Sequence, residues 1–217
     1  MNILDYLPIL AEAAATSALV CLLSLAVAVI LSFAAGITLF AGSPWLRPVA
    51  VAYVEIFRGT SLLVQLFWLY YALPLVGFSM PPMLTGILAL GLNTGAYGAE
   101  VVRGALQAVP GQQHEAARAL NFSHAHTLWR IVLPQAVPEM MPSFSSLAVQ
   151  NLKDTSLVSM ITIADLTFKA QELRNLTQDS VSVYGASLLI YLTMALMVIA
   201  ALRLVERRIG QTTGRHA

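Results

Sequence analysis

Charge is what this sequence has least of. Only 11% of its 217 residues are Asp, Glu, Lys or Arg, against about 25% in a soluble domain. Hydrophobic residues make up 58%. So little charge cannot keep a globular surface wet or neutralise a row of phosphates. A soluble globular enzyme, a disordered chain and a nucleic-acid binder are all excluded. Lys and Arg number 12 and Asp and Glu 11, so net charge steers nothing. The single cysteine, Cys21, cannot close an internal disulfide. Set in an apolar run, it reads as a small buried apolar residue.

The marks of catalysis are missing as well. No glycine-rich stretch leads into Lys-Ser or Lys-Thr, so there is no phosphate loop for ATP. There is no His-Glu-x-x-His and no paired Cys-x-x-Cys. His124 and His126 stand two apart and diverge on a helix, which suits a solvated loop face. Ser187 has no nearby His or Asp to activate it. Internal repeats and low-complexity tracts are absent too.

What the sequence does have is long uncharged gaps. They run from Glu12 to Arg47, from Arg58 to Glu100 and from Asp179 to Arg203. A helix needs about 20 apolar residues to cross a hydrocarbon core of about 30 Å. The first gap holds one span, roughly Ala13–Phe40. The second holds two, since Pro74 and the Pro81-Pro82 pair break it near Gly77. These are Thr60–Leu73 with its flanks, and Met83–Val102. The third gap holds a span near Val181–Leu202. A weaker one lies at about Met140–Met160, preceded by Pro134, Pro138 and Pro142. The expected fold is an all-α membrane protein with about five transmembrane helices. The first apolar run is too long for a cleaved signal and has no basic residue before it. It reads as a true span.

Basic residues concentrate on the cytoplasmic side of a membrane. With the N-terminus outside, nine of the 12 Lys and Arg fall inside, among them Arg47, Arg118, Arg130, Arg203 and Arg215. Only Lys153, Lys169 and Arg174 fall outside. The C-terminus is then cytoplasmic, and residues 105–134 form the longest inner loop.

A lone charge at mid-bilayer costs about 2.5–3.5 kcal/mol on insertion scales. Glu55 and Arg58 are three apart, as are Glu100 and Arg103, so each pair shares a helix face. They are paired, anchored at an interface, or lining a wet cavity. Lys153 and Asp154 are adjacent and cannot face one another. Each needs a partner on another helix, or water. Gly91, Gly95 and Gly98 fall on one stripe and suit close helix packing. Asn93 and Tyr97 fit a polar cavity and interhelical hydrogen bonding equally well.

The inner loop reads as helix, turn, helix. Glu115 to Leu120 is rich in helix formers. Asn121 takes the left-handed conformation that ends a helix. Ser123 caps the next helix, and Pro134 closes it. Ala116, Ala117 and Ala119 make a small-residue surface that fits a groove on another protein.

Glu115-Ala116-Ala117 is followed, at fixed spacing, by Ile131, Leu133 and Pro134. This resembles the EAA loop of bacterial ABC importer permeases. Three further stretches resemble the polar amino-acid branch of that family. They are Phe57–Gln65 (Phe-Arg-Gly-Thr-Ser-Leu-Leu-Val-Gln), Ala96–Ala105 and Leu152–Val158. The chain departs from the family at three places. Asn121 stands at the usual turn glycine, Gln112 at another glycine, and Ser61 where proline is common.

The resemblance implies a type-1 ABC importer transmembrane domain of five spans in the bacterial plasma (inner) membrane. It implies one transmembrane permease domain over the chain, with a core of about residues 12–206. Residues 105–134 are its cytoplasmic coupling loop. Glu115, Ala116, Ala117, Arg118, Ala119, Leu120 and Asn121 would dock on the ATPase. Asn93, Tyr97, Glu100, Lys153 and Asp154 would line the solute pathway. The function implied is import of a polar amino acid or related small solute, with no catalysis in this chain. No cofactor is expected here, since ATP is held by a separate cytoplasmic ABC ATPase dimer. The other expected partners are a periplasmic or extracellular solute-binding protein, a second copy or a paralogous permease, and lipid. An ion-coupled transporter or channel acting without an ATPase is the alternative. The intramembrane charges suit it, but it needs no docking loop.

Overall fold

The computed structural model describes residues 3–212, with side chains from residue 7 to 208. Arg215, placed inside by the charge count, lies outside the described residues. Every regular element among them is helical. α1 (Ile3–Ala41) is the long first helix. α2 (Arg47–Gly59) and α3 (Leu62–Phe67) follow, and α3 runs on through a π turn, Trp68–Ala72, and a 3₁₀ turn to Val76. α4 (Pro82–Ala108) leads to the short helices α5 (Gly111–Ala119) and α6 (His124–Thr127). α7 (Leu133–Asp154) ends in a 3₁₀ turn, Thr155–Ile161. α8 (Leu166–Thr177) and α9 (Ser180–Thr212) complete the chain.

α4 is the hub, packed on α1 along its length and flanked by α2 and α7. Small residues make that contact possible. A Cβ on Gly91 would lie 2.7 Å from the Val27 side chain, and one on Gly95 2.9 Å from Leu31. On Gly98 it would collide with the Ser32 hydroxyl. α1 answers with Gly36, whose Cβ would lie 2.7 Å from the Ala99 carbonyl. Between lipid-bathed helices no hydrophobic driving force operates, so such close approach is the main source of adhesion. Polar groups add to it. The Asn151 amide on α7 donates to Thr94 Oγ1 at 2.9 Å, and Asn151 Oδ1 accepts from Ser24 of α1 at 2.8 Å. Cys21 is buried, as its apolar setting implies.

Several expectations change. By length and composition alone, two helices are able to cross a membrane, within residues 7–41 and 180–208. The pair Arg47–Gly59 and Leu62–Val76, bent by 106°, is long and apolar enough only when its two helices are taken together. The segment expected as the second span is therefore not a straight helix over Thr60–Leu73; α2 and α3 are separated by a break at Thr60, which is extended. α4 and α7 are more polar, with Asn93, Thr94, Glu100 and Arg103 on the one and Glu139, Gln150, Asn151, Lys153 and Asp154 on the other. They sit against other helices, and many of their polar groups are bonded within the bundle. The proline-rich fourth helix starts at Leu133 rather than near Met140, and Pro138 and Pro142 lie inside it. Pro134 does not close a helix. It sits in the first turn of α7, directly after the π turn Leu128–Val132, so the helical run from His124 passes through it. The preceding turn, Leu128–Val132, widens to a π turn, and Gln135 Nε2 donates to the Ile131 carbonyl at 2.8 Å. Gly77 does end the second segment, at φ +95°.

Candidate functional site

The helix break at Thr60 opens a polar cavity of about 660 Å³, within the ~300–1,000 Å³ range of small-molecule sites. Thr60 and Ser61 line one wall, Asn93, Thr94 and Tyr97 of α4 another, and Gln150 and Asp154 of α7 a third. A broken helix in a membrane leaves carbonyls that must be satisfied inside the protein. Two side chains do this. Gln65 Nε2 donates to the Phe57 carbonyl at 2.9 Å and to Thr60 Oγ1 at 2.7 Å. Asn93 Nδ2 donates to the same Phe57 carbonyl at 2.9 Å and to Gln65 Oε1 at 3.2 Å. Asn93 thus serves both of its sequence readings: it fastens two helices and faces the cavity.

Of the five pathway residues expected from sequence, three meet here: Asn93, Tyr97 and Asp154. Gln150 Nε2 donates to the Asp154 carboxylate at 2.8 Å. Lys153 points elsewhere, into a groove of about 470 Å³ between α7 and α9 that also holds Arg203 and Glu206. Glu100 is absent from the lining. It is ion-paired with Arg103, whose Nε approaches to 3.0 Å, and more loosely with Arg58 at 3.9 Å. Arg58 turns to Glu100 rather than to Glu55, because α4 lies beside α2.

Thr60, Ser61, Gln65 and Gln150 were not among the expected site residues. The last had a legible signal. Glu139, Ser143, Ser146, Gln150 and Lys153 follow one another at steps of four and three, one face of a helix. All five are exposed.

At the cytoplasmic loop, α5 ends as its sequence directs. Asn121 is left-handed at φ 60°. Its N–H donates to the Arg118 carbonyl at 2.9 Å, and that of Phe122 to the Ala117 carbonyl at 3.0 Å. This paired bonding is a Schellman end, normally built on glycine. Ser123 caps α6 through the His126 N–H at 3.3 Å. Glu115, Ala116, Arg118, Ala119, Leu120 and Asn121 are exposed, whereas Ala117 is only 1% exposed. Ala117 therefore supports the turn from within. Replacing Asn121 by Gly should leave thermal stability unchanged or slightly raised. A β-branched Val there should lower it by about 1–2 kcal/mol, the usual left-handed penalty, seen as a depressed melting temperature in detergent.

No group of three or more His, Cys, Asp or Glu is gathered to hold a metal among the described residues.

Residues 28–211 match the family described as binding-protein-dependent transport system inner membrane components. A probable amino-acid ABC transporter permease of Sinorhizobium fredii (strain NBRC 101917 / NGR234) is 52% identical, over 98% of this chain and 92% of its own. An L-cystine transport system permease of Bacillus subtilis (strain 168) is 38% identical, over 76% of this chain and 71% of its own. The crystal structure of an amino acid ABC transporter with histidines superposes with a TM-score of 0.87 at 31% identity, covering 96% of this chain and 99% of that one. Permeases of this family span the inner membrane several times, hold no cofactor and leave ATP to a separate chain. This chain belongs to the binding-protein-dependent inner-membrane permeases and is the permease subunit of an amino-acid ABC importer.

Proposed function

We propose that this chain supplies half of the path by which a polar amino acid or related small solute enters the cell. It forms one transmembrane permease domain, core residues 12–206. The chain crosses five times, by α1, by the bent α2–α3 pair, by α4, by α7 and by α9. The N-terminus lies outside and the C-terminus inside, as the basic residues favour. Little of the apolar length of α9 is buried, which suits a helix facing lipid.

The polar stripe of α7 carries this reading. Glu139, Ser143, Ser146, Gln150 and Lys153 are exposed at membrane depth. Such residues turn to a bundle interior or to water, not to hydrocarbon. A second copy of the chain, or a paralogous permease, facing this stripe would enclose a wet path. Asn93, Tyr97, Gln150 and Asp154 line it where the cavity lies, and Lys153 lies further round α7. Relatives named for amino acids, L-cystine among them, favour that substrate class.

Glu115, Ala116, Arg118, Ala119 and Leu120 form the face that meets the cytoplasmic ATPase dimer, with Ala117 and Asn121 holding its turn. ATP binding would draw two such loops together and tilt the spans between inward-open and outward-open states. That is a two-state element biased from a distance. An external binding protein delivers the solute to the outward-open state.

Purification from the native membrane followed by reconstitution in liposomes tests the whole reading. A P-loop ATPase and a permease partner should remain bound. Uptake should require both ATP and the binding protein. Uptake by this chain alone, driven by an ion gradient, would overturn it.

A further inference from the structure

An apolar groove of about 310 Å³ lies between α1, α7 and α9, away from the solute cavity. Only Ala, Cys, Leu, Met and Val side chains line it. Its floor is buried, at Cys21, Ala148, Leu152 and Met194. Its rims, Leu22 of α1 and Met197 of α9, are 67% and 64% exposed. The groove therefore opens sideways from the bundle. It does so along α1 and α9, the two helices apolar enough to cross a membrane unaided. Methionine in floor and rim adapts to an irregular occupant.

Two helix faces decide what fills it. On α7, Ala148 and Leu152 each stand two residues from Gln150, about 200° round the helix. They lie opposite the polar stripe of Ser143, Ser146, Gln150 and Lys153. A permease partner facing that stripe leaves the groove on the other side, toward the bilayer. On α9, Met194, Ala201 and Arg208 follow at steps of seven and share the groove face. Met194 to Arg208 is about 21 Å along the axis. That is the depth of one leaflet, about 20–22 Å from bilayer centre to headgroup. Charge is confined to the headgroup end. From Ser180 to Leu202 there is none; beyond it Arg203, Arg207 and Arg208 outnumber Glu206. Arg208 is exposed.

We propose that this groove holds one acyl chain of an anionic phospholipid of the inner leaflet, with the headgroup phosphate at Arg208. This rests on the proposed orientation, C-terminus inside. The acyl chain replaces contacts that an empty groove would forgo. The guanidinium matches phosphate oxygens through paired N–H donors. A lipid so seated touches α1, α7 and α9 together. It supplies packing to α9, of which the protein itself buries little.

The test uses the intact permease–ATPase complex. Native mass spectrometry counts the lipids retained when palmitoyl-oleoyl phosphatidylglycerol competes with phosphatidylcholine of the same chains. The wild-type complex should prefer phosphatidylglycerol about fivefold, the effect of one basic residue at an anionic headgroup. Arg208→Gln should abolish that preference. Arg207→Gln removes the same charge about 100° further round α9 and should leave it intact. Ala201→Trp plugs the groove and should remove one retained lipid per permease chain, whichever lipid is offered. Recovery of the variants with the ATPase shows that they fold, and if Ala201→Trp is not recovered the two arginine variants still decide. Equal preference in Arg208→Gln and Arg207→Gln overturns the site, and ATP-driven uptake by the same complex leaves the transport reading standing. Met197→Cys at the rim should not cross-link to a second permease chain on oxidation; a cross-link would mean that another copy covers the groove, and overturns the inference. Labelling of Arg208→Cys by an impermeant maleimide outside intact cells would overturn the proposed orientation, and this inference with it.

Discussion

Replacing Ala116 with Trp should reduce ATP-driven uptake about 100-fold, the change produced by losing about 3 kcal/mol of docking energy. Ala116 is exposed on the outer face of α5, between Glu115 and the inward-facing Ala117. An indole there holds α5 away from any groove it enters. The turn beyond it should survive, because Ala117 and Asn121 are untouched. Trp at Ala117 is a poorer probe. That side chain is buried, so it would damage the loop before it met a partner. Glu115 makes no ion pair among the described residues, so it is available to a basic group on the ATPase. Glu115→Lys should also lower uptake, through like-charge repulsion. The measurement is uptake into proteoliposomes holding the complete transporter, beside recovery of ATPase on the immobilised permease. Uptake at the wild-type rate in Ala116→Trp would show that α5 does not meet the ATPase through this face.

Local chemistry was legible in the sequence, and contacts between distant segments were not. The turn at Asn121, the cap at Ser123 and the break at Gly77 each depend on a few neighbouring residues. Each appears where the residue types place it. The 106° bend at Thr60 has no such sign, since Gly59-Thr60-Ser61 contains no proline. It stands because Gln65 and Asn93 satisfy the carbonyls it frees, and Asn93 comes from a different helix. Pro134 misled for a related reason. A proline disturbs a helix but need not end it, and here the helical run widens to a π turn just before Pro134 and continues through it.

The site divides in the same way. Spacing on one helix brought Glu100 to Arg103. It equally suggested Glu55 for Arg58, yet Arg58 meets Glu100 because α2 lies against α4. Lys153 and Asp154, adjacent in sequence, enter two different cavities. The rule that neighbours on a helix diverge foresaw the separation, though not which residue would face Asn93 and Tyr97. Gln150 carries no charge to mark it. Its place in a polar stripe at steps of three and four is written in the sequence alone.

Gly98→Leu should prevent the permease from accumulating in the membrane, while Gly104→Ala should be tolerated. The glycines differ in what surrounds them. At Gly104 nothing lies within 4 Å of an added Cβ. At Gly98 that atom would overlap the Ser32 hydroxyl and reach 3.3 Å from the Phe144 ring. Ser32 cannot simply turn away. Its one hydroxyl proton is shared between the Ala28 carbonyl at 2.6 Å and the Gly95 carbonyl at 3.2 Å, tying α1 to α4. Even Gly98→Ala should cost about 1–3 kcal/mol, the usual penalty of overpacking. In a chain of this size that is a fall of about 2–10 °C in melting temperature. Thermal unfolding of the detergent-solubilised protein, followed by loss of the monodisperse peak, reads both variants. Equal melting of Gly98→Ala and Gly104→Ala would mean that α1 and α4 do not touch as described. The consequence reaches the cavity, because Asn93, Thr94 and Tyr97 stand on the same helix. Pushing α4 off α1 moves the wall that carries them. An Ala variant that still assembles should therefore lose uptake out of proportion to its loss of stability.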